Sequence, residues 1–185
     1  MTSRRRSRIT RIPSSTQGDR ADVVLVAQSF GAFTAPLVCE RVPVDLMVLV
    51  AGMVPVPGEK GEDWFANTGY ESATHEEDFT GDSEMAVFFH DVEPAVAVEA
   101  MNRARDQAET PGLEPWPLAA WPEVPTRYLL CRDDRLFPAE WMRGVVRERL
   151  GITPDEIGGG HCAALSRPGE LAERLEAYRA AAANE

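Results

Sequence analysis

The sequence predicts an α/β fold: a mostly parallel sheet flanked by helices and interrupted by a long insertion. Three observations predict it. Two short apolar runs rich in branched residues, 22–27 (DVVLVA) and 45–51 (DLMVLVA), lie on either side of a helix-length segment, the pattern of a βαβ unit. A third run, TRYLLC from Thr126, resumes that pattern far downstream and is followed by a helix and a fourth short run. With 185 residues, 44% hydrophobic and 26% charged, the chain suits one domain with a core of its own rather than a disordered or fibrous protein.

Taken in order, residues 1–20 are polar, basic and broken by Pro13 and Gly18, and they read as a disordered tail. A strand over 22–27 is expected to be buried on both faces. QSFG then makes a tight passage into a helix over 32–41, with Pro36 in its first turns and Pro43 beyond its end. The second strand covers 45–51. Residues 52–70 read as a long loop with exposed apolar tips, and 71–83 as an acidic stretch without a core signal. Pro94 opens a helix over AVAVEAMNRAR. Residues 110–125 are rich in proline, so the block at about 54–122 reads as a lid insertion between core elements.

The core pattern returns with the third strand at 126–131 and a loop, DDRLFP. A helix over 139–150 points Trp141, Val145 and Leu150 inward and is closed by Gly151. Residues 152–157 form a fourth strand that Pro154 assigns to an edge. GGGHC follows, then a last helix over 167–182 with Leu171, Leu175 and Tyr178 as its stripe.

Charge excludes several partners. The net charge is −11, yet six arginines face one acid, Asp19, in the first 20 residues, so the tail carries +5 and the remainder −16. A body this acidic repels nucleic acid and anionic membrane, and neither is expected as a partner. No run of 18 apolar residues exists, and MTSRRRSRIT holds no apolar segment of the secretory type. Three scattered cysteines predict a reducing, cytoplasmic setting. His75 and His90 have no ligand spacing with Cys or Asp, and no glycine-rich nucleotide motif occurs, so neither metal nor cofactor is expected.

Chemistry concentrates where strands end. In VLVAQSFGA, Ser29 sits between a buried strand and a helix, with small residues Ala27 and Gly31 two positions away on either side and Gln28 before it. A serine on such a turn lifts its hydroxyl off the sheet, next to the N–H groups of a helix start that can meet an oxyanion. The competing reading makes Ser29 a helix cap. A serine nucleophile needs a base and a group to orient that base. Asp133 and Asp134 follow the third strand, and His161 follows the fourth behind three glycines that let the backbone curl. In a parallel sheet these ends share the ligand-binding side. For the two aspartates the rival reading is an acidic turn capping the next helix. Cys39, Cys131 and Cys162 read as small buried hydrophobes.

On VLVAQSFGAFTAPLV, CRDDRLFP and GGGHCAALSRP the chain resembles the α/β-hydrolase superfamily over about residues 21–180, and within it the small-esterase and hydroxynitrile-lyase-like group. The resemblance implies a partial α/β-hydrolase fold, with Ser29 as nucleophile, Asp134 as acid and His161 as base. It prefers Asp134 to Asp133 because Pro138 stands four residues later, and it makes the Phe30 N–H one oxyanion donor. The elbow is usually Gly-x-Ser-x-Gly, whereas Ala27 stands in the first position here.

Family members also carry strands and a helix ahead of the elbow, with a loop holding a second oxyanion donor. None of these is legible in residues 1–20, so the chain reads as a fragment, a truncated domain over 21–182. That expectation brings three others. The first strand has an unpaired apolar edge open to self-association. Loss of one oxyanion donor costs about 10² to 10³ in rate, so activity is weakened or lost. The reading is then a serine hydrolase acting on a small, largely uncharged ester or amide, its substrate pocket lined by Trp64, Phe65, Phe88, Phe89, Trp116 and Trp121. The rivals are a non-catalytic remnant that binds a ligand or a partner chain, and a lyase on the same fold. The lyase requires a lysine at the site, for which Lys60 is the sole candidate.

Overall fold

The computed structural model describes residues 23–73 and 84–183. The expected basic tail (1–20), His75 and the acidic residues around it lie outside the described residues.

Strand β1 (Val24–Gln28) passes through Ser29 and Phe30 into helix α1 (Gly31–Val38), and the chain returns as β2 (Leu46–Val50). The strands pair in parallel, Val24 opposite Leu46 and Gln28 opposite Val50, which is the expected βαβ unit. All of β2 is buried, as the interior of a parallel sheet demands of an unbroken apolar run. β1 departs from the expectation of two covered faces: Val26 is 45% exposed. The cause is position, since β1 ends the order β1-β2-β3-β4. Helix α1 stops at Val38 rather than Arg41. Pro36 is its sixth residue, past the first turn, where the missing N–H removes a helical bond to Ala32 and the helix ends soon after.

Strand β3 (Thr126–Cys131) pairs with β2, Leu49 opposite Tyr128, and β4 (Asp155–Ile157) pairs with β3, Cys131 opposite Ile157, again in parallel. β4 takes the outer position that Pro154 predicts, and it is shorter than the run from Ile152.

The insertion between β2 and β3 folds as short helices: α2 (Trp64–Asn67), α3 (Tyr70–Ala73), α4 (Glu84–Phe88), α5 (Pro94–Asn102) and α6 (Thr110–Leu113). α5 opens at Pro94 as expected, with the Glu93 carboxylate accepting from Val96 N–H at 3.1 Å. The segment after β2 exposes Val56 and Pro57 as expected but buries or half-buries its other large apolar residues. Val54 and Trp64 are fully buried and Met53 nearly so. This loop is tied down by a buried ion pair in which Arg149 meets both carboxylate oxygens of Glu59, at 2.5 and 2.9 Å. The Trp64 indole donates to the Val54 carbonyl at 2.9 Å.

Helix α7 (Ala139–Leu150) closes on Gly151, whose φ of 68° is the left-handed conformation glycine adopts cheaply. Its deepest residues are Met142, Val145 and Val146, while Trp141 and Leu150, also expected inward, are half-buried. The turn α8 (Ala163–Ser166) and helix α9 (Pro168–Ala182) complete the chain, with Tyr178 buried against the sheet. No helix among the described residues is long and apolar enough to cross a membrane. Because the four strands are parallel, Ser29, Ala51, Asp133 and Gly158 all follow strand ends on one side of the sheet.

Candidate active site

Ser29 holds φ at 51°, a left-handed conformation that costs a non-glycine residue about 1–3 kcal/mol and persists only where its surroundings impose it. They do so through three backbone bonds. Ser29 N–H donates to Val50 O at 3.1 Å, and Ser29 O accepts from Ala32 N–H at 3.1 Å and Met53 N–H at 3.0 Å. The serine hydroxyl is not spent as a helix cap: the N-cap of α1 is Phe30, without a side-chain cap bond. Small residues are needed at this turn, but not where the ±2 spacing puts the need. A Cβ on Gly31 would stand 3.7 Å from Ala27 Cβ, an ordinary contact, whereas one on Gly52 would come within 3.1 Å of Leu49 Cβ and 3.2 Å of Ala32 Cβ.

On the neighbouring strand ends the structure brings Asp134 and His161 together. Asp134 Oδ2 lies 2.8 Å from His161 Nδ1, and its other oxygen accepts from Leu136 N–H at 2.8 Å and Phe137 N–H at 3.0 Å. That set of donors satisfies both oxygens of a buried carboxylate and fixes its direction. The side chains of His161 and Asp134 are 3% and 1% exposed. Phe88 and Phe137 approach the imidazole edge-on, at 5.4 and 5.1 Å between ring centres. Asp133 does something else: its carboxylate accepts from Gly159 N–H at 2.8 Å. Neither aspartate caps α7, whose N-cap is Pro138.

Of the glycines before His161, only Gly159 takes a left-handed φ, 96°. Gly160 answers to close approach instead, because a Cβ there would lie 2.5 Å from His90 Nε2 and 2.8 Å from Asp91 Oδ1. Asp91 Oδ2 accepts from Gly160 N–H at 2.8 Å, and His90 Nε2 lies 2.9 Å from the Asp133 carbonyl. Gln28 Nε2 donates to His161 O at 2.6 Å. Gln28 is visible in the elbow, but its bond to His161 is not. Asp91 carries one signal only, a carboxylate next to His90 in the apolar run EMAVFFHDV.

The six aromatic residues expected on the substrate pocket divide. Phe65 lines an open cavity of about 600 Å³ beside the elbow, with Phe30, Met53, Gly61 and Leu113. Phe88 lies against His161, and Phe89 lines a separate cavity of about 400 Å³ with Met85 and His90. Trp64 and Trp116 belong to the core, and the Trp116 indole donates to Phe33 O at 2.9 Å. Trp121 stacks on Trp116 and donates to Thr126 Oγ1. Lys60 is paired with Glu62 at 3.0 Å, with its side chain 41% exposed. No cluster of metal-ligating side chains occurs among the described residues.

Comparison with known proteins agrees with the fold. Residues 5–174 match the model of the "Alpha/beta hydrolase family". The chain is 22% identical to norfluorocurarine synthase 1 from a Strychnos species, over 83% of this chain and 68% of that protein. Polyneuridine aldehyde esterase superposes with a TM-score of 0.68 at 21% identity, over 90% of this chain and 73% of that one. A pyrethroid hydrolase from Sphingobium faniae superposes with a TM-score of 0.63 at 19% identity, over 90% and 74% of the two chains.

Proposed function

The chain belongs to the alpha/beta hydrolase family, and from that membership we propose that it is a serine hydrolase acting on a small, largely uncharged ester or amide. Ser29 is the proposed nucleophile, His161 the base and Asp134 the acid. The observation that carries the reading is the hydrogen bond from Gln28 to the His161 carbonyl: the residue before the strained serine touches the backbone of the histidine that Asp134 orients.

In the proposed reaction His161 Nε2 takes the Ser29 hydroxyl proton as Oγ attacks the carbonyl carbon. The Phe30 N–H, at the start of α1, donates to the oxygen that becomes negative. The C–O or C–N bond then breaks as His161 returns the proton to the leaving alcohol or amine. A water deprotonated by His161 attacks the acyl-serine, releasing the acid and restoring the hydroxyl. Asp134 keeps the Nδ1–H tautomer and stabilises the imidazolium in between.

The cavity beside Phe30 is lined by Phe30, Phe65, Met53 and Leu113 together with Glu62 and Glu109 and holds no cationic side chain, which disfavours an anionic substrate. Lys60, bound to Glu62 on its loop, gives the lyase alternative no support. Free thiols at Cys39, Cys131 and Cys162 agree with a reducing location, proposed as the cytoplasm.

The test is a p-nitrophenyl ester assay together with a serine-directed fluorophosphonate probe. Labelling at Ser29 that disappears in S29A and H161A is the expected result. A well-folded protein that neither turns over the ester nor takes the probe removes the hydrolase in favour of a non-catalytic binding protein.

A further inference from the structure

The geometry points to a clasp built by His90 and Asp91 of the insertion, and we infer that Asp91 is a positioning residue for His161. The inference rests on the hydrolase reading above for its effect on rate, though not for its effect on the imidazole.

The need for such a residue follows from the sequence of the base loop. Gly158, Gly159 and Gly160 precede His161, and glycine backbone is the most costly to hold in one conformation. Asp134 fixes the imidazole at Nδ1 but not the backbone that carries it. That backbone is held from three directions. Asp133, on the acid loop, exchanges two bonds with Gly159, Asp133 N–H to Gly159 O at 3.0 Å and Gly159 N–H to Asp133 Oδ2 at 2.8 Å. Gln28, on the elbow, holds His161 O. Asp91, between α4 and α5, holds Gly160 N–H.

Asp91 is the one of these three that comes from the insertion, and its neighbours anchor it to the acid loop. A carbonyl can only accept, so His90 Nε2 carries a proton and donates it to Asp133 O at 2.9 Å. Arg135 donates to Ala86 O at 3.0 Å from the same loop. One short segment, 86–91, therefore grips the loop of Asp134 and the loop of His161 together. Gly160 leaves no space between the clasp and the backbone, and any larger residue there would displace Asp91 or His90. The bond is charge-assisted. Burial works against the Asp91 carboxylate, but the Gly160 N–H, then the Ser166 hydroxyl and the His90 imidazole, outweigh it and hold the group below its ordinary range.

The experiment uses the full chain, with steady-state kinetics on a p-nitrophenyl ester and the downfield proton resonance of the His161 Nδ1–H as an activity-free reporter, assigned by its absence in H161A. Asp91→Ala is expected to lower kcat about 10- to 100-fold with KM within about twofold, and to broaden or shift that resonance. Asp91→Asn, whose amide oxygen still accepts from Gly160 N–H, is expected to restore both. Should Asp91→Ala not fold, Gly160→Ala perturbs the same contact and carries the same expectation. Normal kcat and an unmoved resonance in Asp91→Ala, or in Gly160→Ala, overturn the clasp while leaving the hydrolase standing. A resonance lost in Asp91→Ala and regained in Asp91→Asn, in a chain with no esterase activity, upholds the clasp and overturns the hydrolase. Equal loss in Asp91→Ala and Asp91→Asn with the resonance unmoved reduces Asp91 to a stability residue and overturns the proposal.

Discussion

The side-chain amide of Gln28 donates to the backbone carbonyl of His161 across 2.6 Å, joining residues 133 positions apart. Gln28 ends β1 and His161 follows β4, at opposite sides of the sheet, so the bond sets the proposed base against the elbow directly rather than through the strands between them. Gln28→Ala removes the donor and is expected to lower kcat/KM about tenfold, at a stability cost of about 1 kcal/mol. Gln28→Glu sets a carboxylate against the carbonyl and falls further. Ester kinetics and a thermal melt check both. A wild-type rate in Gln28→Ala would mean that the elbow and the base loop are positioned independently.

The two adjacent aspartates are separable by mutation. Asp134→Asn keeps the turn at Leu136 and Phe137 but removes the negative partner of His161 Nδ1–H, and kcat is expected to fall about 10³- to 10⁴-fold with the fold intact. Asp133→Asn retains an oxygen for Gly159 N–H, and its loss is expected to stay within about tenfold. Parallel kinetics and circular dichroism of the two variants decide it. Equal losses would contradict the division of labour between them.

That division lies beyond what spacing can tell, because CRDDRLFP offers two carboxylates one residue apart and only the path of the turn decides which one faces the histidine. The sheet was more legible. Unbroken apolar runs such as LMVLV and TRYLLC carry their own burial requirement, and β3 spans Thr126–Cys131 as its run predicts. Elements whose boundaries depend on one neighbour were less so: α1 ends early at Pro36, and β1 loses a covered face by ending the sheet. Tryptophan in a loop is ambiguous in principle. Trp64 and Trp116, read from the sequence as pocket residues, lie in the core instead, where their indole N–H groups donate to Val54 O and Phe33 O. Asp91 was the least visible, since its partner is a backbone N–H and leaves no trace in residue type.

The crowding at the elbow gives a contrast between two glycines. Gly52→Ala drives a Cβ to 3.1 Å from Leu49 Cβ and 3.2 Å from Ala32 Cβ, both on rigid elements, and is expected to cost about 1–3 kcal/mol. It also presses on the start of α1, so kcat falls with it. Gly31→Ala meets Ala27 Cβ at 3.7 Å and is expected to leave stability within about 1 kcal/mol and activity near wild type. Urea melts of the pair measure the difference, and a Gly31 variant worse than the Gly52 variant would contradict the packing described.

The last prediction concerns alkaline pH. Burial, and next the nearby charge of Asp134, push the Cys131 thiol from 9.0 up to about 12. Burial also raises Tyr128 and Tyr178. For each group the folded state holds its proton more tightly than the unfolded chain does. The resulting stability is fully present below the unfolded value and is lost as pH climbs toward the folded one. For Cys131 that window runs from about pH 9 to about 12. Urea midpoints are therefore expected to hold steady up to about pH 8.5 and to fall steeply above it, with Cys131→Ala showing a shallower fall. The same burial keeps the thiolate scarce at pH 8, so iodoacetamide should modify Cys131 only after unfolding. Rapid alkylation of Cys131 in the native protein would show that β3 opens locally, and the buried environment assigned to Asp134 and His161 beside it would fall with it.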